Sequence, residues 1–297
     1  MLICSHKIIL TNISIYAIII GNSSVTSIST KERSTMRAPV QLSQLCDLAY
    51  LAGGIMKTHF THFGMERAVK TDTTPLTAAD TEINRLVIDH VRKLSTEVDI
   101  VGEEESDRTN SPWQIVCDPV DGTFPYTWGM PVSTFMLGLL HERVPVMGVI
   151  YDPFTDRIYY AEKGKGAWMN KGVPLKVSSA KMREDRPVVG YVSWPGCPYN
   201  ILKVCQHLEN AGVTLVNFCS IGYIEAAVAT GEFAGTLFPG TKHHDTAPGH
   251  IIVEEAGGKV SDVFGKPLHY ANGEIDGHIF SNGKIHDLMV EAVRACA

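Results

Sequence analysis

Acidic side chains stand at three places where apolar stretches end: Glu103, Glu104 and Glu105 after residues 99–101, Asp118 and Asp121 after residues 113–117, and Asp245. Carboxylates that converge at the end of a sheet repel one another unless a cation lies between them. Oxygen donors with no His or Cys at matching spacing suit a hard ion, Mg2+ first, then Mn2+ or Ca2+. Taken singly, each acid also reads as a solvated loop residue or a helix cap. The segment Asp118-Pro119-Val120-Asp121-Gly122-Thr123 says more. Pro119 stiffens the turn between two carboxylates and leaves the Val120 carbonyl free to point inward. Gly122 lets the backbone approach a ligand, and Thr123 opens a short helical turn whose N–H groups suit phosphate. Together these features describe metal-assisted phosphoryl chemistry.

The elements that must position these acids are read from periodicity. Apolar residues at helical spacing predict helices over 41–65 and 80–94, with a loop over 71–79 between them. Strands are predicted at 99–101 and 113–117, the latter running straight into Asp118. Closely spaced strands at 132–141, 146–152, 157–162 and 166–169 predict an antiparallel meander. After Arg186 strands and helices alternate: strands at 188–193, 214–218, 233–238 and 278–281, helices at 201–211, 221–230, 246–256 and 285–295. Gly257-Gly258 reads as a helix stop, and Gly164-Lys165-Gly166 as a turn between strands. The fold expected is α/β (α+β), with an antiparallel meander half and an α/β half. Residues 39–297 form one catalytic unit, with 39–186 carrying metal and phosphate and 187–297 the substrate side.

Composition bounds the function. The chain has 297 residues, 44% hydrophobic and 20% charged, with formal net charge −6. That apolar content excludes disorder as a description of the whole. The acid surplus argues against broad nucleic-acid binding, which needs Lys and Arg to displace counterions. The seven cysteines are scattered and form no CxxC pair, so free thiols in a reducing, cytoplasmic compartment are expected.

Residues 1–38 differ from the rest. Residues 8–21 are mostly apolar but broken by Thr11, Asn12 and Ser14, and no acid precedes Glu32. The stretch falls short of the roughly 20 apolar residues of a membrane span, so no membrane association is expected. It reads as an extension upstream of Met36, or as a signal or organelle-targeting segment. Asn12 and Asn22 head glycosylation sequons, which matter only on secretion.

Four segments in order resemble the inositol monophosphatase superfamily of Mg2+-dependent, lithium-sensitive phosphomonoesterases. They are Lys70-Thr-Asp-Thr-Thr-Pro-Leu-Thr-Ala-Ala-Asp80, Gly102-Glu-Glu, Trp113-Gln-Ile-Val-Cys-Asp-Pro-Val-Asp-Gly-Thr123, and His244-Asp-Thr-Ala-Pro-Gly followed by Glu255-Ala-Gly-Gly258. The Gly-Lys-Gly-Ala stretch at residues 164–167 also matches. The resemblance runs from about Gln41 to Ala295. It implies a layered αβαβα sandwich, commonly a homodimer, acting on a small-molecule phosphate monoester. It implies Glu103, Asp118, Asp121, Asp245 and the Val120 carbonyl as metal ligands. Gly122 and Thr123 are implied as phosphate-binding backbone, with Asp121 and Asp245 also facing substrate, and Thr123 with Asp80 as the pair that orients and activates the attacking water. Two or three Mg2+ ions, with Mn2+ as an alternative, would clamp the attacking and leaving oxygens without a protein nucleophile.

Competing readings stand beside these. Thr77-Ala-Ala-Asp80 also fits a capping box, and Asp245 an N-cap. Glu104 and Glu105 read as solvated neighbours. His243-His244 suggests a transition metal only weakly, because adjacent side chains point different ways. The resemblance thins on the alcohol side. Inositol-specific members carry a Trp where this chain has His244, and a Glu seven positions before the last metal Asp, where this chain has Phe238. Of their Arg-Ser pair only Ser220 is kept. A hydroxyl-reading carboxylate cannot become Phe without changing selectivity. Ser220, Phe238, Tyr223 and Lys242 are therefore expected to meet an aromatic or less hydroxylated leaving group. That expectation keeps 3′(2′),5′-bisphosphate nucleotidase and histidinol-phosphatase activities open beside inositol monophosphatase. A metal-binding or partner-binding homologue without turnover is the alternative class, against which the intact metal positions argue.

Overall fold

Leu45, Leu48, Ala49, Ala52 and Met56 recur at helical spacing, and all are buried on one face of α1 (Leu42–His59). The computed structural model describes residues 38–62, 68–69, 75–181, 185–198, 200–271 and 274–296. Residues 1–37, with Cys4 and both sequons, and residues 70–74 of the first motif lie outside them. A short antiparallel pair, β1 (Ala68–Val69) and β2 (Pro75–Leu76), precedes α2 (Ala78–Leu94). The predicted loop 71–79 therefore contains a strand and the first turn of α2, which starts early because Thr77 caps it.

Next come β3 (Asp99–Gly102), β4 (Ser106–Asp107), β5 (Trp113–Asp121) and the short α3 (Thr123–Thr127). The meander then runs β6 (Thr134–His141), β7 (Val144–Asp152), β8 (Arg157–Glu162), β9 (Ala167–Met169) and β10 (Val173–Pro174). These strands make one sheet in the order β10-β9-β8-β7-β6-β5-β3-β4, antiparallel except for the β3–β5 pair.

The remainder alternates: β11 (Val188–Tyr191), α4 (Ile201–Asn210), β12 (Thr214–Val216), α5 (Ile221–Ala229), β13 (Gly235–Phe238), α6 (Ala247–Glu255), β14 (Lys259–Ser261), β15 (His278–Ser281) and α7 (His286–Cys296). The second sheet has the order β12-β11-β13-β15-β14. Its β11 is parallel to both neighbours, while β15 is antiparallel to both of its own. The short strands β4, β10 and β14 carry too few residues for a periodic signal and were not expected.

Side-chain alternation fixes the layers. Phe135, Leu137 and Leu139 of β6 join the core of α1 and α2, whereas Met136 packs with α5 and α6. That second core also takes Phe238 and Phe280 from the other sheet, whose opposite face (Val189, Leu237, Ile279) packs on α4 and α7. The layers are thus α1/α2, large sheet, α5/α6, small sheet, α4/α7, the αβαβα sandwich that the resemblance implied. Among the described residues no helix is long and apolar enough to cross a membrane, and Cys46, Cys117, Cys197, Cys205, Cys219 and Cys296 are free thiols.

Candidate active site

The site is set by an irregularity in β5. Its register with β6 shifts between Asp118, opposite Met136, and Asp121, opposite Thr134. In a regular strand residues three apart face opposite sides; one extra residue brings them to the same side. Cys117 and Val120 accordingly both enter the α1/α2 core, which turns Asp118 and Asp121 together to the other face. Pro119 sits in the irregularity, where a missing N–H breaks no ladder bond, and the Asp118 carboxylate accepts from the Val120 N–H at 3.0 Å. Gly122 follows at φ +76°, a left-handed conformation that suits glycine, and serves as N-cap of α3.

Asp121 ties the two halves of the chain together. Its carboxylate accepts from Thr134 Oγ1 (2.8 Å), Ser220 Oγ (2.5 Å), and the backbone N–H groups of Ile221 (2.8 Å) and Gly222 (3.0 Å). It therefore lies on the N-terminus of α5, which favours negative charge. Among the described residues Asp118 has no comparable set of donors. Burial pushes its carboxyl well above the usual range, reinforced in order by the charges of Glu103, Asp121, Asp245 and Asp80. Burial also raises Asp121, against the four donors that pull it down. Cys117, beside them, is buried and driven well above an ordinary thiol by burial, Asp118 and Glu103. It is therefore unsuited to act as a thiolate nucleophile.

Each sequence-predicted residue has a definite place. Asp80 is buried and completes the capping box, accepting from Thr77 N–H at 2.8 Å. One carboxylate oxygen each from Asp80, Glu103 and Glu104 also lie within 4.8 Å of one another, close enough to hold a metal ion. Glu104, expected as a solvated neighbour, is thus half-buried within the acidic group, while Glu105 is exposed. Thr123 donates its hydroxyl to the Val120 carbonyl at 3.0 Å. Asp245 is half-buried, with His244 Nε2 3.5 Å from its Oδ1. Its neighbour Thr246, not Asp245, is the N-cap position of α6.

The alcohol side departs from expectation. Ser220 is fully buried and caps α5 through Tyr223 N–H while bonding Asp121, so its hydroxyl acts on the protein. Phe238 is 6% exposed, a core side chain packed between Trp194 and His278. Tyr223 packs on Phe218 and lines a small cleft with Asp152, Arg157 and Glu232, apart from Lys242. His243 packs edge-on against Tyr270 while His244 approaches Asp245, so the two imidazoles serve different partners.

Other features carried no recognisable spacing. Glu225 of α5 and His278 of β15 are both fully buried, with Glu225 Oε1 3.0 Å from His278 Nε2, though not aligned as a hydrogen bond. Burial, then Asp121 and Asp245, push Glu225 well up; burial pushes His278 down. His278 Nδ1 lies 3.0 Å from Thr246 Oγ1, next to Asp245. The Gly164-Lys165-Gly166 turn is held by Glu255, whose carboxylate accepts from both glycine N–H groups at 2.8 Å.

The family model described as the inositol monophosphatase family matches residues 40–297. The chain belongs to the inositol monophosphatase family. Family relatives include the 3′(2′),5′-bisphosphate nucleotidase CysQ of Salmonella typhimurium, 31% identical over 78% of this chain and 95% of that protein. The inositol-1-monophosphatase of Synechocystis is also 31% identical, over 74% of this chain and 77% of its own length. Among family structures, the Thermotoga maritima IMPase superposes with a TM-score of 0.77 at 28% identity, covering 86% of this chain and 96% of that one. The phosphatase reading of the motifs stands with that membership.

Proposed function

We propose that this chain is a Mg2+-dependent phosphatase that releases phosphate from small-molecule phosphate monoesters by attack of water. The observation that carries this reading is the turning of Asp118 and Asp121 to one side of β5, where the charges of Glu103, Asp245 and Asp80 act on Asp118. The donors are all oxygens, and neighbouring acids raise the Asp118 carboxyl together with its burial, which fits a hard divalent cation. Glu103, Asp118, Asp121, Asp245 and the Val120 carbonyl would hold it. Bound Mg2+ supplies positive charge and Lewis acidity toward a phosphoryl group.

The chain's own groups do the rest. Asp121 is fixed by four donors, so its oxygens are presented without reorganisation. The Gly122 and Thr123 N–H groups bind phosphate at the start of α3. Asp80 takes the proton of the attacking water while the Thr123 hydroxyl orients it. Thr123 already bonds the Val120 carbonyl, which keeps the hydroxyl beside the metal-binding segment.

Purified protein should release phosphate from a phosphomonoester panel with Mg2+ and not with a chelator, with Li+ as an inhibitor. Asp118→Asn and Asp245→Asn should each lower that release by about a hundredfold or more. Absence of release from the whole panel would overturn the reading. We also assign residues 39–297 as the catalytic unit, residues 1–38 as an extension or targeting segment, a cytoplasmic location, and a homodimer as the working assembly. Phe124, Trp128 and Met130 are exposed and offer apolar area that association would cover. Sedimentation analysis reads the assembly directly.

A further inference from the structure

A cavity of about 550 Å³ adjoins the acidic group, bounded by Glu103 and His244 at one end. Its remaining walls include Arg108, Arg143, Lys242 and His243, so basic side chains from three separate parts of the chain meet in one place. Arg108 and Arg143 have no carboxylate partner among the described residues; Lys242 pairs with Glu274 at 2.9 Å. His243 is 6% exposed, and its Nε2 has no hydrogen-bond partner among the described residues. A buried imidazole nitrogen left unpaired is costly unless a ligand completes it.

The cavity has a direction. Arg143 donates to Gln114 Oε1 at 3.2 Å. Gln114 lies four residues before Asp118 on β5, a separation of about 13 Å at strand rise. Glu103 and His244 mark the metal-binding end, and Arg143 the far end. Guanidinium groups are suited to phosphate through paired N–H donors.

We propose that this cavity is an anion subsite that binds a second phosphate of the substrate, carried on the far side of a sugar or nucleoside from the phosphate that is hydrolysed. The proposal rests on the phosphatase reading above. The distance sets the spacer: a diphosphate, whose phosphorus atoms share one oxygen, is too short to meet both ends. Arg108 and Arg143 hold the second phosphate, and His243 Nε2–H donates to it.

The test uses full-length protein with Mg2+ and substrate pairs differing only in the second phosphate: adenosine 3′,5′-bisphosphate against adenosine 3′-monophosphate, and fructose 1,6-bisphosphate against fructose 1-phosphate. We expect at least one bisphosphate to exceed its monophosphate in kcat/KM by about tenfold or more, through KM. Arg108→Gln with Arg143→Gln should reduce that preference to near unity, with an unchanged melting temperature reporting intact folding. Equal use of both members of each pair overturns the subsite, as does a preference that survives the double substitution. If no compound is hydrolysed, the phosphatase reading fails by itself, and titration calorimetry with adenosine 3′,5′-bisphosphate still reads the cavity. Binding weakened by the double substitution then supports the subsite, and absence of binding overturns it.

Discussion

The Ser220 hydroxyl donates to Asp121 Oδ2 at 2.5 Å across 99 positions of chain, joining the end of β5 to the start of α5. This bond ties the meander half to the α/β half at the point where the Asp118-to-Asp121 segment ends. Ser220→Ala should remove both it and the α5 cap. Loss of a cap and of a hydrogen bond to a charged group destabilises by about 1–3 kcal/mol. Urea unfolding should show that loss. Mg2+ titration of the variant's activity should also need more metal, because Asp121 keeps its other three donors but loses orientation. Unchanged stability with unchanged Mg2+ dependence would separate this bond from the site.

Much of this arrangement is legible in the residues alone, and the reason is locality. The Asp118-to-Thr123 segment carries its strand, its irregular turn and its helix start within a few positions, so its conformation can be read without knowing what packs on it. The capping box at Thr77 and Asp80 is equally local. Ser220 and Phe238 are different. Their side chains are directed by contacts with Asp121, Trp194 and His278, which lie far away in sequence and leave no spacing signal. The same holds for Arg108 and Arg143, which come together only when β4 and the β6–β7 hairpin lie on the same sheet.

Asp118 gives a pH dependence whose sign follows from its environment. Its folded carboxyl is held well above the ordinary value of 3.8, first by burial and then by Glu103, Asp121, Asp245 and Asp80. The folded protein thus keeps a proton that the unfolded chain releases as pH rises past 3.8. The stability from that proton is complete below 3.8 and is lost as pH climbs through the raised folded value. With a chelator present, melting temperature should fall as pH rises through this window. Asp118→Asn cannot ionise, so its profile should be flatter there, while its Mg2+-dependent phosphate release falls about a hundredfold or more. A variant as pH-sensitive as the parent in chelator would place the repulsion elsewhere.

Gly249 in α6 is required by the buried Glu225. A Cβ added there would come within 1.8 Å of Glu225 Oε2 and 2.3 Å of its Cδ. Both α5 and α6 are held between the two sheets, so neither backbone can retreat freely. Gly249→Ala should destabilise by about 1–3 kcal/mol, the usual range for overpacking. Glu225→Ala clears the carboxyl, so the double variant should be more stable than the sum of the two single losses. A double-mutant cycle in urea measures the coupling. Additive losses would show that the clash is relieved by another route.

The Gly-Lys-Gly stretch and the acid that ends α6 belong to one structural device. Glu255 accepts from the Gly164 and Gly166 N–H groups, and Gly164 and Gly166 are at φ +77° and +82°. The turn between β8 and β9 is thereby fastened to the end of α6, the helix that begins beside Asp245. Two hydrogen bonds to one carboxylate, partly open to water, are worth about 1–3 kcal/mol together. Glu255→Ala should lower stability by that amount and raise amide exchange at both glycines. Glu255→Gln can still accept one of the bonds and should recover about half the loss. Exchange that stays slow in Glu255→Ala would mean that the turn holds its own shape, and the match of these residues to the family would then need a different physical cause.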